Sequence, residues 1–217
     1  MGQKINPKIL RLGPLNNWSS RWFEDKNHNY KETLLEDFKI RKALMDRLKN
    51  AGISEIEIER SINNLRITAH VSKPGMVIGR GGTGLEELKV YLHKNLIKGS
   101  TVKNQYKLDV RVEPIKNSNL DAYLVARNIS EQLMRRLPAK RVMASTAEKV
   151  MGSGAKGVRI VLSGRIGGAE IGRREKLQKG TVPLSTIREN ITYASVPALT
   201  KKGYIGVKVW INKPSES

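Results

Sequence analysis

A cluster of glycines, Gly79-Arg80-Gly81-Gly82-Thr83-Gly84, constrains the fold more than any other segment. The sequence predicts a short helix before it, from Pro74 to Ile78, and a longer helix after it, from Thr83 to Ile97, where Thr83 and Glu86 have capping-box spacing. Glycine lets another backbone approach closely, and the start of a helix offers free N–H groups and a positive dipole end to phosphates. The cluster therefore predicts contacts with a nucleic-acid backbone through Gly79, Arg80, Gly81 and Gly82.

Two other interpretations of the cluster remain open at this stage. It satisfies G-x-G-x-x-G, but the dinucleotide fingerprint needs a strand that runs directly into the first glycine. Here the nearest clear strand ends near Val71, and Pro74 and Gly75 interrupt the approach. The glycines could also only allow two helices to pack tightly. No Walker A string is present.

The flanking elements favour RNA binding over either alternative. A helix is predicted from Leu34 to Ala51, with Phe38, Leu44 and Leu48 on one face. Strands follow where Ile56 and Ile58 alternate with Glu55, Glu57 and Glu59, then from Leu65 to Val71 and from Tyr106 to Glu113. This order is typical of a type II KH RNA-binding domain, with a three-stranded sheet and helices on one face. We assign it residues 34–116.

The rest of the chain predicts an α+β protein with a second domain at 117–213 and a tail at 214–217. A linker from Pro114 to Asn119 precedes two helices, Ala122–Leu133 and Pro138–Met151, and then a mostly antiparallel sheet. Residues 1–33 are predicted to form an extended arm that carries the basic residues Lys4 and Arg11.

Composition narrows the class of partner. The 40 basic and 20 acidic residues give a net charge of +20, of which +9 lies in residues 1–116 and +11 beyond, so we expect polyanions to bind both halves. Without cysteine, clustered histidines or a nucleophile–base motif, no metal site, cofactor or enzymatic activity is expected. No apolar run suits a membrane or a secretory signal.

Three segments resemble the family of small-subunit ribosomal protein three, in its bacterial or organellar form. They are Met1-Gly2-Gln3-Lys4 with Pro7 and Arg11-Leu12-Gly13; Pro74-Gly75-Met76-Val77-Ile78-Gly79 with the glycine cluster; and Ser163–Ile171, Gly180–Leu184 and Gly203–Ile211. The resemblance extends over nearly all 217 residues. It implies a structural protein in the head of the small ribosomal subunit that binds rRNA and neighbouring ribosomal proteins and lines the mRNA entry channel. A cytoplasmic or organellar ribosome is then the expected location, with no membrane and no homo-oligomer.

The resemblance also implies which basic residues meet each RNA. Lys4 and Arg11 of the arm would contact rRNA, and basic residues of the second domain's helices would contact mRNA. The matching stretch contains Arg135, Arg136, Lys140 and Arg141. Ala144 and Ser145 stand where relatives carry further basic residues, and Arg80-Gly81 stands where many have two lysines.

A second basic cluster lies beside a predicted glycine hairpin at Gly167 and Gly168. Its members are Arg165, Arg173, Arg174 and Lys176, which we predict to contact rRNA. Alternation along a strand would place Arg174 and Lys176 on one face and Arg173 on the other.

The remaining alternative is a free-standing KH-domain RNA-binding regulator outside the ribosome.

Overall fold

A computed structural model describes residues 4–24, 27–61, 64–94 and 107–214. Met1–Gln3 of the amino-terminal signature, the end of the helix predicted to reach Ile97, Tyr106 and residues 215–217 lie outside these ranges. The chain divides into two compact units: a middle unit, Trp18–Lys116, and a terminal unit, which combines Met1–Asn17 with Asn117–Ser217. The predicted arm is therefore divided between the two units instead of standing apart.

Among its described residues the middle unit contains four strands and three α-helices. In chain order they are β1 (Ser20–Arg21), α2 (Asn27–Arg47), β2 (Ile53–Arg60), β3 (Asn64–Val71), α3 (Pro74–Ile78), α4 (Thr83–Leu92) and β4 (Lys107–Pro114). The sheet order is β1-β2-β3-β4, with the two outer pairs parallel and the central pair antiparallel. The two-residue β1 adds a strand to the predicted three.

Alternation in the strands sends one set of side chains to a shared core with the helices. Ile56 and Ile58 of β2 and Ile67 of β3 are buried together with Leu44 and other apolar residues of the helices. The helices therefore cover one face of the sheet, and the other face carries the charged residues of the same strands.

A buried ion-pair cluster fixes how α2 packs. Asp37 is buried, accepts a 2.7 Å hydrogen bond from Trp22 Nε1, and lies 2.6 Å from Arg60 Nη2. The buried stripe of α2 runs through Asp37, Ile40 and Leu44 at helical spacing, and Phe38 lies outside it and is 70% exposed. The predicted position of Phe38 on the core face was wrong for this reason.

The terminal unit contains one short helix, two long helices and four strands among its described residues. They are α1 (Pro7–Leu10), α5 (Ala122–Met134), α6 (Ala139–Gly152), β5 (Gly157–Gly164), β6 (Arg173–Gly180), β7 (Ile191–Thr200) and β8 (Gly203–Asn212). The sheet order is β6-β5-β8-β7, and every pair is antiparallel. The α+β class and the predicted second domain architecture are confirmed.

Both long helices pack on one face of this sheet. Strand β8 buries Ile205, Val207, Val209 and Ile211, which form one core with the apolar faces of α5 and α6. The intervening residues of the same strand belong to the opposite face, which neither α5 nor α6 covers.

Arg11 joins the amino-terminal segment to this unit. Its side chain is fully buried and donates five hydrogen bonds of 2.7–3.4 Å to main-chain carbonyl oxygens. The acceptors belong to Pro7, Pro183, Leu184, Thr186 and Glu189. Burial lowers the pKa of the guanidinium, and the charge of Glu189 opposes this shift. Arginine nevertheless stays protonated because its unperturbed pKa lies far above neutrality.

We predict that Arg11→Ala destabilises the protein, because it leaves several buried carbonyl oxygens without a donor. Hydrogen bonds to charged groups contribute about 1.5–3 kcal/mol each, and losses at one site overlap, so the free energy of unfolding should fall by about 3–5 kcal/mol. Chemical denaturation followed by circular dichroism measures this. Lys4→Ala, which removes an exposed charge from the same segment, should change stability by less than about 0.5 kcal/mol; an equal loss in the two variants would contradict the role of Arg11.

Candidate nucleic-acid interface

The glycine loop connects α3 to α4 through backbone conformations that glycine favours. Gly79, Gly81 and Gly82 have φ values of 70°, 63° and 85°. The strand β3 ends at Val71 and is separated from the loop by all of α3. Because no strand enters the first glycine, the loop lacks the geometry of a dinucleotide-binding turn.

The glycines of the loop serve two purposes. A Cβ added at Gly84 would lie 2.6 Å from the Val77 carbonyl oxygen, so Gly84 is required for close packing of α3 against α4. A Cβ at Gly81 or Gly82 would meet no heavy atom of the described residues within 4 Å. Tight helix packing therefore explains one end of the cluster, whereas Gly81 and Gly82 leave open space where another backbone can approach.

The start of α4 differs from the predicted capping box. Gly82 is the N-cap and provides no side chain, while the Thr83 hydroxyl donates to the Arg80 carbonyl at 3.0 Å. Thr83 thus closes the loop and does not cap the helix. The exposed Arg80 side chain makes no ion pair with any described residue. Val77 is buried and anchors the loop, whereas the neighbouring Ile78 is exposed.

A cleft of about 680 Å³ in the terminal unit gathers a second set of cations. It lies between the α5–α6 turn, the loop after β5 and the β7–β8 turn. Its basic lining residues are Arg136, Lys140, Arg165, Arg173, Lys201 and Lys202. The one carboxylate in the lining, Glu175, is 3.1 Å from Arg173 Nε. The cleft is therefore strongly positive.

The turn between α5 and α6 holds its arginines outward. Arg136 has a φ of 63°, and among described residues other than glycine it alone has a positive φ. Its N–H bonds the Leu133 carbonyl at 3.0 Å, and the Leu137 N–H bonds the Gln132 carbonyl at 3.2 Å. This left-handed closure ends α5, and Pro138 then starts α6. Arg135 and Arg136 are exposed at the carboxyl end of α5, where positive charge is favourable.

Comparison with known proteins assigns both units to families. Residues 39–117 match a family model described as KH domain, and residues 129–211 match ribosomal protein S3, C-terminal domain. The small ribosomal subunit protein uS3 of Lactobacillus acidophilus is 46% identical over 213 residues, which cover 98% of this chain and 91% of that protein. The protein of the same name from Exiguobacterium sibiricum is 47% identical over 212 residues, which cover 98% and 93%.

The chain belongs to the ribosomal protein S3 family. The family resemblance seen in the sequence is therefore confirmed, as is the KH fold of the middle unit. Proteins of the S3 family are structural, non-enzymatic components of the ribosome, which confirms the prediction that the chain is not an enzyme.

The cleft of the terminal unit contains residues that the sequence predicted to belong to two separate sites. Arg136 and Lys140 were predicted to meet mRNA, and Arg165 and Arg173 to meet rRNA, yet all four line one cavity. Arg135 and Arg141 are exposed but do not line it. Lys201 and Lys202 were missed, although a basic pair before Gly203, between two predicted strands, is the signal that would have found them.

Other predicted contacts lie elsewhere in the terminal unit. Arg174 and Lys176 belong to the opposite face of the sheet, as the alternation along β6 predicts. Lys4 is exposed near that same face. Arg11 is fully buried, so its predicted contact with rRNA is replaced by the structural role described above.

The open face of the middle unit's sheet is occupied by ion pairs. Glu57 and Glu59 lie 3.2 Å and 2.9 Å from Arg21, and Glu59 also pairs with Arg66 at 3.2 Å. Further pairs join His70, Asp109, Arg111 and Glu113 to the same network. The arginines of this face are therefore paired with carboxylates, which leaves less positive charge for a polyanion than in the cleft.

Neither a metal site nor a membrane span occurs within the described ranges. No group of three His, Asp or Glu side chains could hold a metal ion there. No helix in that part of the chain is long and apolar enough to cross a membrane.

We predict that Arg136→Gly weakens RNA binding without loss of stability. The left-handed conformation costs an ordinary residue about 1–2 kcal/mol, which exceeds the roughly 0.5–1 kcal/mol entropic cost of glycine. The free energy of unfolding should thus stay unchanged or rise by up to about 1 kcal/mol, as measured by chemical denaturation, while affinity for single-stranded RNA falls.

Arg135→Gly is the matched control, because it removes the same charge from a residue with an ordinary φ of −76°. It should destabilise the protein by about 0.5–1 kcal/mol. If Arg136→Gly destabilises as much as Arg135→Gly, the strained turn is not a feature of the folded protein.

Proposed function

We propose that the chain is a structural constituent of the small-subunit head that binds rRNA and lines the path by which mRNA enters. Membership of the S3 family supports this, since the relatives that span nearly the whole chain are named small ribosomal subunit proteins. As an S3-family protein it is located in the ribosome, in the cytoplasm. Neighbouring ribosomal proteins of the head are its expected protein partners.

The charge of the cleft is the observation that carries the mRNA assignment. Six cations surround one carboxylate, and that carboxylate is already paired with Arg173. A phosphate backbone that enters such a site releases its counterions and gains several charge-assisted hydrogen bonds. These contacts are independent of base sequence, as a path for every message requires.

The cleft borders the helix that carries the remaining entry residues. Lys140 and Arg141 lie exposed in the first turn of α6, and Lys140 also lines the cleft. One turn further along, Ala144 and Ser145 are half-buried and uncharged. The basic residues that contact mRNA are therefore concentrated at the start of α6 and at the α5–α6 turn, and contact with mRNA is weaker along the rest of the helix.

The glycine loop is assigned to rRNA. Gly81 and Gly82 leave room for a sugar–phosphate backbone, and Arg80 and the N-terminus of α4 provide positive charge beside it. Met76 and Ile78, in the helix α3 just before the loop, have exposed apolar side chains that suit contact with unstacked bases.

We predict that Arg80→Asp lowers the affinity of the full chain for single-stranded RNA, because a carboxylate would then face phosphate. Loss of one phosphate contact should reduce the slope of log K against log salt by about 0.7. Fluorescence anisotropy with a labelled oligonucleotide at several salt concentrations measures both quantities. Lys39→Asp, which makes the same charge change at an exposed position of α2, is the control; equal effects would remove the loop as a specific contact.

We also predict that Lys140→Ala combined with Arg141→Ala impairs translation of structured messages more than that of unstructured ones. These cations hold single strands as they form, so their loss matters most where base pairs must open. Reconstituted translation of paired reporters measures the ratio. Lys39→Ala with Lys42→Ala removes the same charge from α2 and should leave the ratio unchanged; equal impairment of both messages would contradict the entry role.

Co-sedimentation separates this proposal from a free-standing KH regulator. A constituent of the subunit should remain with small subunits through moderate salt, whereas a free regulator should stay in the soluble fraction. The match of residues 129–211 to the S3 C-terminal domain favours the first outcome.

A further inference from the structure

The terminal sheet has a second face, opposite α5 and α6, whose side chains the cleft does not use. Cross-strand register places Arg159 of β5 beside Trp210 of β8, and Trp210 beside Tyr193 of β7. Two residues after Arg159 in β5, Val161 lies between Lys176 of β6 and Lys208 of β8. Aromatic and basic residues therefore occupy neighbouring positions on one surface.

The aromatic residues of this face form a fixed platform. The ring centroids of Tyr193 and Trp210 are 5.1 Å apart, with a 37° angle between their planes. The Arg159 Cζ atom lies 5.3 Å from the centroid of the Trp210 ring, within reach of a cation–π interaction. Tyr193 and Trp210 are only half-buried, so part of each ring remains accessible.

A groove of about 730 Å³ crosses this platform. We call it the sheet groove. One wall comes from the amino-terminal segment that Arg11 holds in place, through Lys4, Asn6 and Pro7, and from Leu184 and Ser185. Such a volume lies within the roughly 300–1,000 Å³ of typical small-ligand sites, and gives room for one nucleotide with its flanking phosphates.

Charge indicates what the sheet groove accepts. Lys4, Arg159, Arg174 and Lys208 line it, and no carboxylate does. None of these four forms an ion pair with a described residue, and the Nε atom of Arg159 is buried with no hydrogen-bond partner there. The contrast with the middle unit is clear, because the open face of that sheet pairs its cations with carboxylates.

We propose that the sheet groove binds an unpaired nucleotide of RNA, with its base against Trp210 and Tyr193 and its phosphates at Lys4, Arg174 and Lys208. An acidic peptide would satisfy the cations but would leave the accessible aromatic rings unused. A single-stranded nucleotide uses both features, since every base has a stacking face and every linkage has a charge. The inference rests on the proposed RNA-binding function and assigns it a second site, on the other face of the sheet from the cleft.

The test compares variants of the full chain for binding to a labelled eight-nucleotide uridine RNA by fluorescence anisotropy. Arg174→Glu with Lys208→Glu changes two exposed positions of the sheet groove, and Lys39→Glu with Lys42→Glu makes the same charge change on α2. The groove variant should bind more weakly than the α2 variant, with a salt slope smaller by about 1.4 than that of the unchanged protein. Equal affinities of the two variants would overturn the proposal.

A second measurement examines the base. Trp210→Leu should lower affinity for the uridine RNA by between about 5-fold and 150-fold, the range of a lost base–aromatic stack, and should have no effect on binding of an abasic strand of the same length. Thermal unfolding shows whether the Trp210→Leu variant is folded. If it is not, the test rests on the variant that combines Arg174→Glu with Lys208→Glu. Equal loss for both strands would overturn the proposal, as would competition by hexaglutamate at the concentration at which the RNA itself competes.

The Lys140→Ala and Arg141→Ala variant, measured on the same RNA, distinguishes failure of this inference from failure of the proposed function. If that variant binds weakly and the groove variant binds normally, the sheet groove is not a site and the cleft remains one. If neither binds more weakly than the unchanged protein, RNA binding by the terminal unit fails altogether.

Discussion

Repulsion among an excess of twenty positive charges is the constraint on which the whole molecule depends. The two units accommodate this repulsion in different ways. The middle unit has 19 basic and 13 acidic residues, a net +6, whereas the terminal unit has 21 and 7, a net +14. The middle unit uses its carboxylates to pair cations across an open sheet face and around the buried Asp37. The terminal unit has too few carboxylates to do so, and its cations collect on both faces of one sheet. Among the cations that line the cleft and the sheet groove, Arg173 alone pairs with a carboxylate of the described residues.

The sheet of the terminal unit gives these two cation groups separate positions. Alternation along β6 sends Arg173 toward the cleft and Arg174 toward the sheet groove, although the two are adjacent in sequence. One face thus presents its cations on loops and helix ends, the other beside the aromatic pair Tyr193 and Trp210. Buried apolar residues of β5 and β8, among them Ile160 and Val209, hold the strands that carry both sites. Arg11 then positions the segment that forms one wall of the groove.

Periodicity and glycine placement were enough to predict the order of elements, the KH loop and the two-helix architecture of the second domain. They depend on neighbours along the chain, which a sequence displays directly. The role of Arg11 depends on carbonyl groups more than 170 residues away, and carbonyls carry no residue-specific signal. The same limit applies to Phe38, which is exposed because the buried stripe of α2 runs through Ile40 and through Asp37, the partner of Arg60.

The sequence indicates which types of residue form the candidate sites, but not which residues lie together in space. Basic residues near glycine turns led to the predicted RNA contacts of the terminal unit, yet which of them share a cavity follows from packing. Lys201 and Lys202 belong with Arg136 because the β7–β8 turn and the α5–α6 turn reach the same end of the sheet. Glu57 and Glu59, by contrast, find their partners Arg21 and Arg66 on strands to either side.

Crosslinking inside the assembled particle tests the central claim, that the two cation groups of the terminal unit, in the cleft and in the sheet groove, face RNA. Small subunits carrying this chain, loaded with a photoreactive mRNA, would be irradiated, and crosslinked peptides identified by mass spectrometry. We expect mRNA crosslinks in peptides that contain Arg136, Lys140 or Lys201, rRNA crosslinks in peptides that contain Tyr193 or Trp210, and none on the ion-paired strand β2. Crosslinks to β2, with none in the terminal unit, would contradict the assignment of RNA-facing surfaces by unpaired charge.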